Sequence, residues 1–406
     1  MNKKDMSLNE QIKACRDINV LMGRNGLIQQ LTKSTIETIL NAELDEYLGY
    51  KKHEAKGRNS GDSRNGSSHK KIRSSSGDIE LEIPRDRNGN FESKLIPKYA
   101  KSISSFDEKI ISMYGKGLST RDIQDHIKDI YGADISPAAI SMITDKVVPL
   151  IKEWQSRKLK TIYAVVYFDA IYFYVHENNV VIKKAAYIAI GIDMNGKKDV
   201  LSITPGGNES ASYWTTIFND LKARDVLQIL ITCIDGLPGL PEAMIEVFPK
   251  TRIQLCVIHM IRNSLKSVAR KDKKQFMNDL KLVYQAETEA KALDARKALC
   301  DKWLKVYPKA VKPWFDHWHN VSGFYSYGEA LRKTVYTTNI IESVNRQYRK
   351  VTKAKTIFPH DESLLKMLFL ATRDIQKKWT GKIKNWDEIL AQLKLAFGDE
   401  IMTPVV

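Results

Sequence analysis

Apolar positions recur at helical spacing from about residue 24 to 48 (RNGLIQQLTKSTIETILNAELDEYLG), which predicts an amphipathic helix. The next stretch, 51–75, loses that period. It is rich in Gly, Ser, Asn, Lys and Arg and is expected to be a loop or arm. Alternation returns in DIELEIPRDRNGNF, which reads as a strand closing on an Asn-Gly turn. From about 106 to 147 the pattern is helical again. Ser119 and Asp122 have the spacing of a capping box, and Ile123 and Ile127 follow at i, i+4. After a short break, Ser136 and Pro137 open a second helix as cap and first helical residue.

Residues 163–235 change character. YAVVYFDAIYFYV, VVIKKAAYIAIGID and KDVLSITPG are rich in β-branched and aromatic residues. They predict a three-stranded meander turning at Asn178-Asn179 and Asn195-Gly196. SASYWTTIFNDLKARD reads as a helix, LQILITCID as a buried parallel strand, GLPGLPEAMIEVF as a turn and helix, and TRIQLCVIH as a last strand. The order β-β-β-α-β-α-β is that of a ribonuclease-H-like core, in which the first and fourth strands are neighbours. From 263 to 335 the chain is helical, charged and tryptophan-bearing (Trp303, Trp314, Trp318), as an all-helical insertion would be. YTTNIIESVNRQYRKVTKAK predicts a helix with a basic second half, and two more helices make up the tail.

The length of 406 residues suggests two to four domains. With 43% hydrophobic and 28% charged residues, the chain is not mainly disordered. Lys plus Arg is 64 against 48 for Asp plus Glu, a net charge of +16, which calls for an acidic partner. Nucleic acid is the foremost candidate and a membrane surface the alternative. Basic charge concentrates in 51–75, with eight Lys or Arg against two Asp or Glu. That segment reads either as a phosphate-contacting arm or as a solvated linker. The helix pair reads as a helix-turn-helix or as any small helical bundle. No apolar run is long enough to span a membrane, and the N-terminus lacks a signal peptide's apolar centre. Cys15, Cys233, Cys256 and Cys300 show no repeated short spacing, which fits a reducing, cytoplasmic compartment.

Asp169 is the most anomalous residue, a carboxylate in the middle of an apolar strand. Such a group is costly unless it is paired, hydrogen-bonded or bound to metal. Asp235 closes the run LQILITCI, at the strand end where open α/β sheets place their sites, although Asp-Gly is also an ordinary turn. Two such carboxylates on neighbouring strands need a cation between them, and Mg²⁺ suits that arrangement. Glu342 reads as the third residue of a capping box opened by Asn339, or as a third metal ligand. The basic residues Arg346, Arg349, Lys350, Lys353 and Lys355 follow it, which suits a site where phosphate meets metal. Cys256 and His259 have metal-ligand spacing, but zinc needs two further ligands and His317/His319 is the only other pair. A packed Cys with a His near the pocket is the preferred reading. Walker, dinucleotide and Gly-x-Ser-x-Gly motifs are absent.

In AELDEYLGYKKHE, GRNSGDSRNG, IELEIPRDRNGNFE, GLSTRDIQDHIKDIYGADISPAAISMITDKV, YFDAIYFYV, ESASYWTTIFNDLKARD, QLCVIHMIRN and YTTNIIESVNRQYRK, the chain resembles the Mutator-type transposases of bacterial insertion sequences. The resemblance covers most of its length. It implies a DDE transposase with an α/β, ribonuclease-H-like mixed sheet interrupted by an all-α insertion, behind a mainly helical DNA-binding region. The implied division is 1–100 (helix, basic arm and short β segment), 101–155 (helix-turn-helix), 156–262 (first part of the core), 263–335 (insertion), 336–360 (Glu-bearing helix) and 361–406 (helical tail). Asp169, Asp235 and Glu342 would be catalytic and would hold two Mg²⁺, with Mn²⁺ able to substitute. Cys256 and His259 would be the family's Cys-x-x-His signature. Arg64, Arg121, Ser141, Arg262, Lys266, Arg270, Arg346, Arg349, Lys350 and Lys353 would contact DNA.

The expected partners are double-stranded DNA, as terminal inverted repeats and target, and a second copy of the chain. A bacterial, nucleoid-associated location is expected, with no membrane. One departure is visible: family members often carry Asp-Ala-His where this chain has Asp235-Gly236-Leu237. The alternatives are a catalytically inert, transposon-derived DNA-binding regulator and a ribonuclease-H-fold DNA nuclease.

Overall fold

A computed structural model describes residues 26–401, apart from 55–56, 58–60, 75–76, 97–103, 132–134, 208–209 and 337–338. Cys15 and parts of the basic arm therefore lie outside the described residues. The chain divides into two compact units. One runs to Ile151 and takes in Val351–Lys355; the other comprises Lys152–Lys350 and the chain from Thr356 onward.

In the first unit, helix α1 (Leu27–Leu48) buries Leu31, Ile36, Ile39, Leu40 and Leu44. It stops at Gly49, whose φ of 75° is the left-handed conformation that glycine adopts without penalty. The expected basic arm is, over most of its second half, a strand. β1 (Arg64–Ser74) pairs antiparallel with β2 (Gly77–Asp86). Ile72 stands opposite Ile79 and both are buried, while His69 faces Glu82 and Lys71 faces Glu80 across the ladder. Composition misled because Ile72 is the strand's single apolar residue, and the partner that completes the ladder lies in the next segment of chain.

Three helices follow: α2 (Ser104–Gly115), α3 (Thr120–Tyr131) and α4 (Pro137–Asp145). The expected capping box is present. Asp122 N–H donates to Ser119 Oγ at 3.1 Å, and Ser119 N–H donates to Asp122 Oδ2 at 2.8 Å. Hydrogen bonding from the Ser119 hydroxyl, and then from the Ser119 N–H, holds the Asp122 carboxyl below its ordinary range. Ser136 caps α4 by accepting from Ala139 N–H at 3.2 Å, with Pro137 at the first helical position. Helix α5 (Val148–Ser156) comes next.

The second unit is built on a mixed sheet. β3 (Ile162–Glu177), β4 (Val180–Asp193) and β5 (Lys198–Gly206) form the predicted antiparallel meander. Asn178 and Asn179, at φ of 49° and 62°, make its first turn, a conformation that asparagine tolerates. Helix α6 (Ala211–Ala223) leads to β6 (Gln228–Ile234), then α7 (Leu240–Val247) leads to β7 (Arg252–Leu255). β6 pairs parallel with β3, and β7 pairs parallel with β6. The strand order is therefore β5-β4-β3-β6-β7. Along β6 every residue is buried, which explains its unbroken apolar sequence.

The last predicted strand is shorter than expected. It ends at Leu255, because Cys256 caps helix α8 (Val257–Lys266) by accepting from His259 N–H. Cys256 and His259 thus belong to a helix start, where helical amphipathicity (Val257, Met260, Ser264 buried) overrides the β-branched residues. The segment beyond is helical: α9 (Lys273–Tyr284), α10 (Glu289–Trp303), the short α11 (Pro308–Val311), α12 (Pro313–Asp316) and α13 (Trp318–Ser322), then α14 (Glu329–Tyr336). Trp314 is buried and donates its indole N–H to Ser264 Oγ at 2.9 Å, tying this helical segment to α8.

Helix α15 (Asn339–Thr352), the two-residue β8 (Ile357–Phe358) beside β3, α16 (Asp361–Gln376) and α17 (Trp386–Phe397) complete the chain. The two faces of the sheet are covered differently. Phe168 and Tyr187 pack on Trp214, and Phe168 also packs on Phe218, on the α6 side. On the other side Tyr167 Oη donates to Thr334 O at 2.8 Å, and Cys233 Sγ reaches Val335 O at 3.7 Å, both on α14.

Phe168 is the residue next to Asp169 and anchors the α6 face. Phe168→Ala should lower unfolding stability by about 3–5 kcal/mol through the cavity it leaves. Thermal unfolding followed by calorimetry checks this, and an unchanged midpoint would refute the packing role.

Candidate active site

β3 and β6 run parallel and in register, Tyr167 opposite Cys233. Asp169 and Asp235 each stand two residues further on, so they lie at the same height on neighbouring chain segments. Side chains alternate along a strand, so both continue the face on which Tyr167 and Cys233 meet α14. Asp235 sits just past the end of β6, where the backbone emerges from the sheet. Its Oδ1 accepts from Gly236 N–H at 2.7 Å. Asp169 lies inside the longer β3, its Oδ1 accepting from Ala170 N–H at 2.9 Å.

Two helices bring partners to these acids. From α8, His259 Nδ1 lies 3.7 Å from Asp235 Oδ1. One turn on, Arg262 Nη2 lies 2.7 Å from Glu342 Oε1. From α15, Asn345 Nδ2 donates to Asp169 Oδ2 at 2.6 Å. Glu342 and Asn345 are three residues apart on α15, as His259 and Arg262 are on α8, and such residues share a helix face. The contacts therefore close a ring: Asp169 to Asn345, along α15 to Glu342, across to Arg262, along α8 to His259, to Asp235, and back across the strand pair. The three acids singled out in the sequence surround one place. Glu342 is turned to Arg262 across the site, and Asn339, the residue expected to cap α15, is already its first helical residue.

The ring is polarised. His259 has its pKa raised to about 9, first by its contact with Cys256 and then by the charges of Asp235 and Asp169, which together outweigh its burial. The imidazole is thus protonated at neutral pH and balances part of the negative charge. Among the described residues no three His, Cys, Asp or Glu side chains are gathered tightly enough to hold a metal as they stand. Asp169 and Asp235 are oxygen donors of the kind a hard divalent cation takes.

Three of the basic residues share the helix of Glu342 and Asn345. Arg346, Arg349 and Lys350 are exposed on the face of α15 that begins at Glu342, with Lys353 just beyond the helix end. Lys266, on α8, donates to Asn263 Oδ1 at 2.9 Å, and Arg270 is exposed past the helix end. In the first unit the positions differ in kind. Arg121 is exposed on α3, whereas Ser141 is half-buried on α4, its carbonyl accepting from Thr144 Oγ1 at 2.7 Å. Arg64 is ion-paired with Asp45 of α1, so its charge is balanced inside the fold.

Sequence reasoning missed Asn345. Its signal was a polar residue in the buried stripe Ile341, Val344, Tyr348 of an amphipathic helix, three residues after Glu342.

The family model described as "Transposase, Mutator family" matches residues 2–382. The chain belongs to that family. It is 38% identical over 396 residues to a probable transposase for an ISRM3-like insertion sequence element of Sinorhizobium fredii, covering 97% of this chain and 98% of the relative. It is 37% identical to the ISRM3 transposase of Rhizobium meliloti, with the same coverage. The IS1201 transposase of Lactobacillus helveticus is 34% identical, over 84% of this chain and 92% of that one. A solved Drosophila P element transposase strand transfer complex matches loosely, with TM-score 0.30 and 10% identity over 75% of this chain and 88% of that one. In this Mutator-family chain no helix among the described residues is long and apolar enough to cross a membrane.

The Arg262–Glu342 pair, at 55% and 29% side-chain exposure, is open to solvent. Arg262→Gln should therefore cost less than about 1 kcal/mol of stability despite the short contact. A larger drop in thermal midpoint would mean that the pair is structural.

Proposed function

We propose that this chain is a metal-dependent DDE transposase of an insertion sequence, with a ribonuclease-H-like core. The ring of contacts that sets Asp169, Asp235 and Glu342 around one place carries the reading. The strand order β5-β4-β3-β6-β7 and the location of both aspartates on its central parallel pair support the assignment of the core. Asp169 and Asp235 would hold Mg²⁺, or Mn²⁺ in its place, and Glu342 would join them on leaving Arg262. When bound, two such cations activate the attacking hydroxyl and offset charge on the leaving 3′ oxygen.

The protein's own groups do the rest. Arg262, released from Glu342, would take a backbone phosphate, and the ridge Arg346, Arg349, Lys350 and Lys353 would hold the DNA beside it. The first step would cut a 3′ end of the element, and the second would join that 3′-hydroxyl to target DNA. No covalent protein–DNA intermediate is required. In the first unit, the capped pair α3 and α4 would read the terminal inverted repeats as a helix-turn-helix, with Arg121 and Ser141 toward DNA. Arg64 is the weakest of the proposed contacts, because Asp45 already holds it. Two ends must be joined in one complex, so a homodimer is the proposed assembly.

Labelled DNA carrying the element's ends, incubated with Mg²⁺ or with EDTA, tests this directly. Nicked and joined products should appear only with metal and should fall at least about a hundredfold in Asp169→Asn, Asp235→Asn and Glu342→Gln. Binding without cleavage would identify an inert regulator, and cutting without joining a nuclease. Arg346→Ala and Arg349→Ala should each weaken binding evenly across sequences and reduce the salt slope by about 1.

A further inference from the structure

Asn345 is 3% exposed, on the buried stripe of α15. Its amide donates to Asp169 Oδ2 at 2.6 Å, while Ala170 N–H donates to Oδ1. Its own Oδ1, equally buried, accepts no hydrogen bond from the protein. A residue kept only to fill this place would be apolar at lower cost, since a buried polar atom without a partner is unfavourable. The cost is offset at Asp169. A carboxylate inside a strand can rotate about its Cβ–Cγ bond, and a donor on each oxygen fixes its plane.

The donor's neutrality matters as well. An Arg or Lys here would orient the carboxylate equally well but would cancel the charge that attracts a cation. An amide orients without neutralising. A carboxylate oxygen has lone pairs to share between a donor and a metal.

We infer that Asn345 is a positioning residue that sets the Asp169 carboxylate for a divalent cation, an inference that rests on the metal-dependent reading above. Its helix also carries Glu342, so one rigid element sets the orientation of one acid and supplies another.

The test is Mn²⁺ binding to the full chain without DNA, read from the electron paramagnetic resonance signal of free Mn²⁺. Asn345→Leu keeps the branched shape and removes the donor. It should retain the wild-type circular dichroism spectrum and weaken Mn²⁺ binding by about tenfold or more, the scale on which groups that orient metal ligands act. Asn345→Gln, which keeps an amide but displaces it by a methylene, should fall between the two. In cleavage assays Asn345→Leu should need more Mg²⁺ for half-maximal rate and recover toward wild type at saturation. Wild-type Mn²⁺ affinity in folded Asn345→Leu would overturn the inference. If that variant does not fold, wild-type affinity in Asn345→Gln would overturn it instead. Failure of the wild-type chain itself to bind Mn²⁺ would overturn the metal-dependent reading, and this inference with it.

Discussion

Two carboxylates held at one height on neighbouring strands repel each other, and much of the second unit is arranged to make that tolerable. The parallel pairing of β3 with β6 fixes their heights through Tyr167 and Cys233. The Trp214–Phe218 cluster and α14 clamp the two faces of that pairing, so the strands cannot slip to separate the charges. A one-residue slip would turn one aspartate to the opposite face and bury it among aromatics. What remains is compensation, which His259, Asn345 and the Gly236 and Ala170 amides supply.

The compensation differs in kind from one acid to the next. Asp235, at the open strand end, faces a protonated imidazole. Asp169, inside the longer strand, accepts from the Asn345 amide and the Ala170 N–H. Glu342, on a helix, is paired with a solvent-exposed arginine at low cost.

Basic residues are placed differently in the two units. In the first unit Lys71 pairs with Asp78 across the β1–β2 ladder, and Arg64 pairs with Asp45. On α15 the cations Arg346, Arg349 and Lys350 stand in the open after a single acid. A high net charge therefore says little about where an anionic partner binds. Exposure along one helix is the better guide, and on α15 it falls to residues that follow Glu342.

By itself the sequence determined the meander and its Asn turns, the buried run of β6, the caps at Ser119 and Ser136, and the two aspartates. These features are local. Each depends on a period, a turn residue or a charge out of place among its immediate neighbours. It also carried the family, through many ordered matches along the chain. Only the tertiary structure decided that Arg64–Ser74 is a strand, because its pairing with Gly77–Asp86 buries Ile72 opposite Ile79. It likewise decided that Cys256 caps a helix, because helix burial there outweighs strand propensity. The partners of the three acids were beyond reach in sequence, since Asn345 and Asp169 are 176 residues apart. No periodicity spans that distance, and only the packing of α8 and α15 against the strand pair closes the ring.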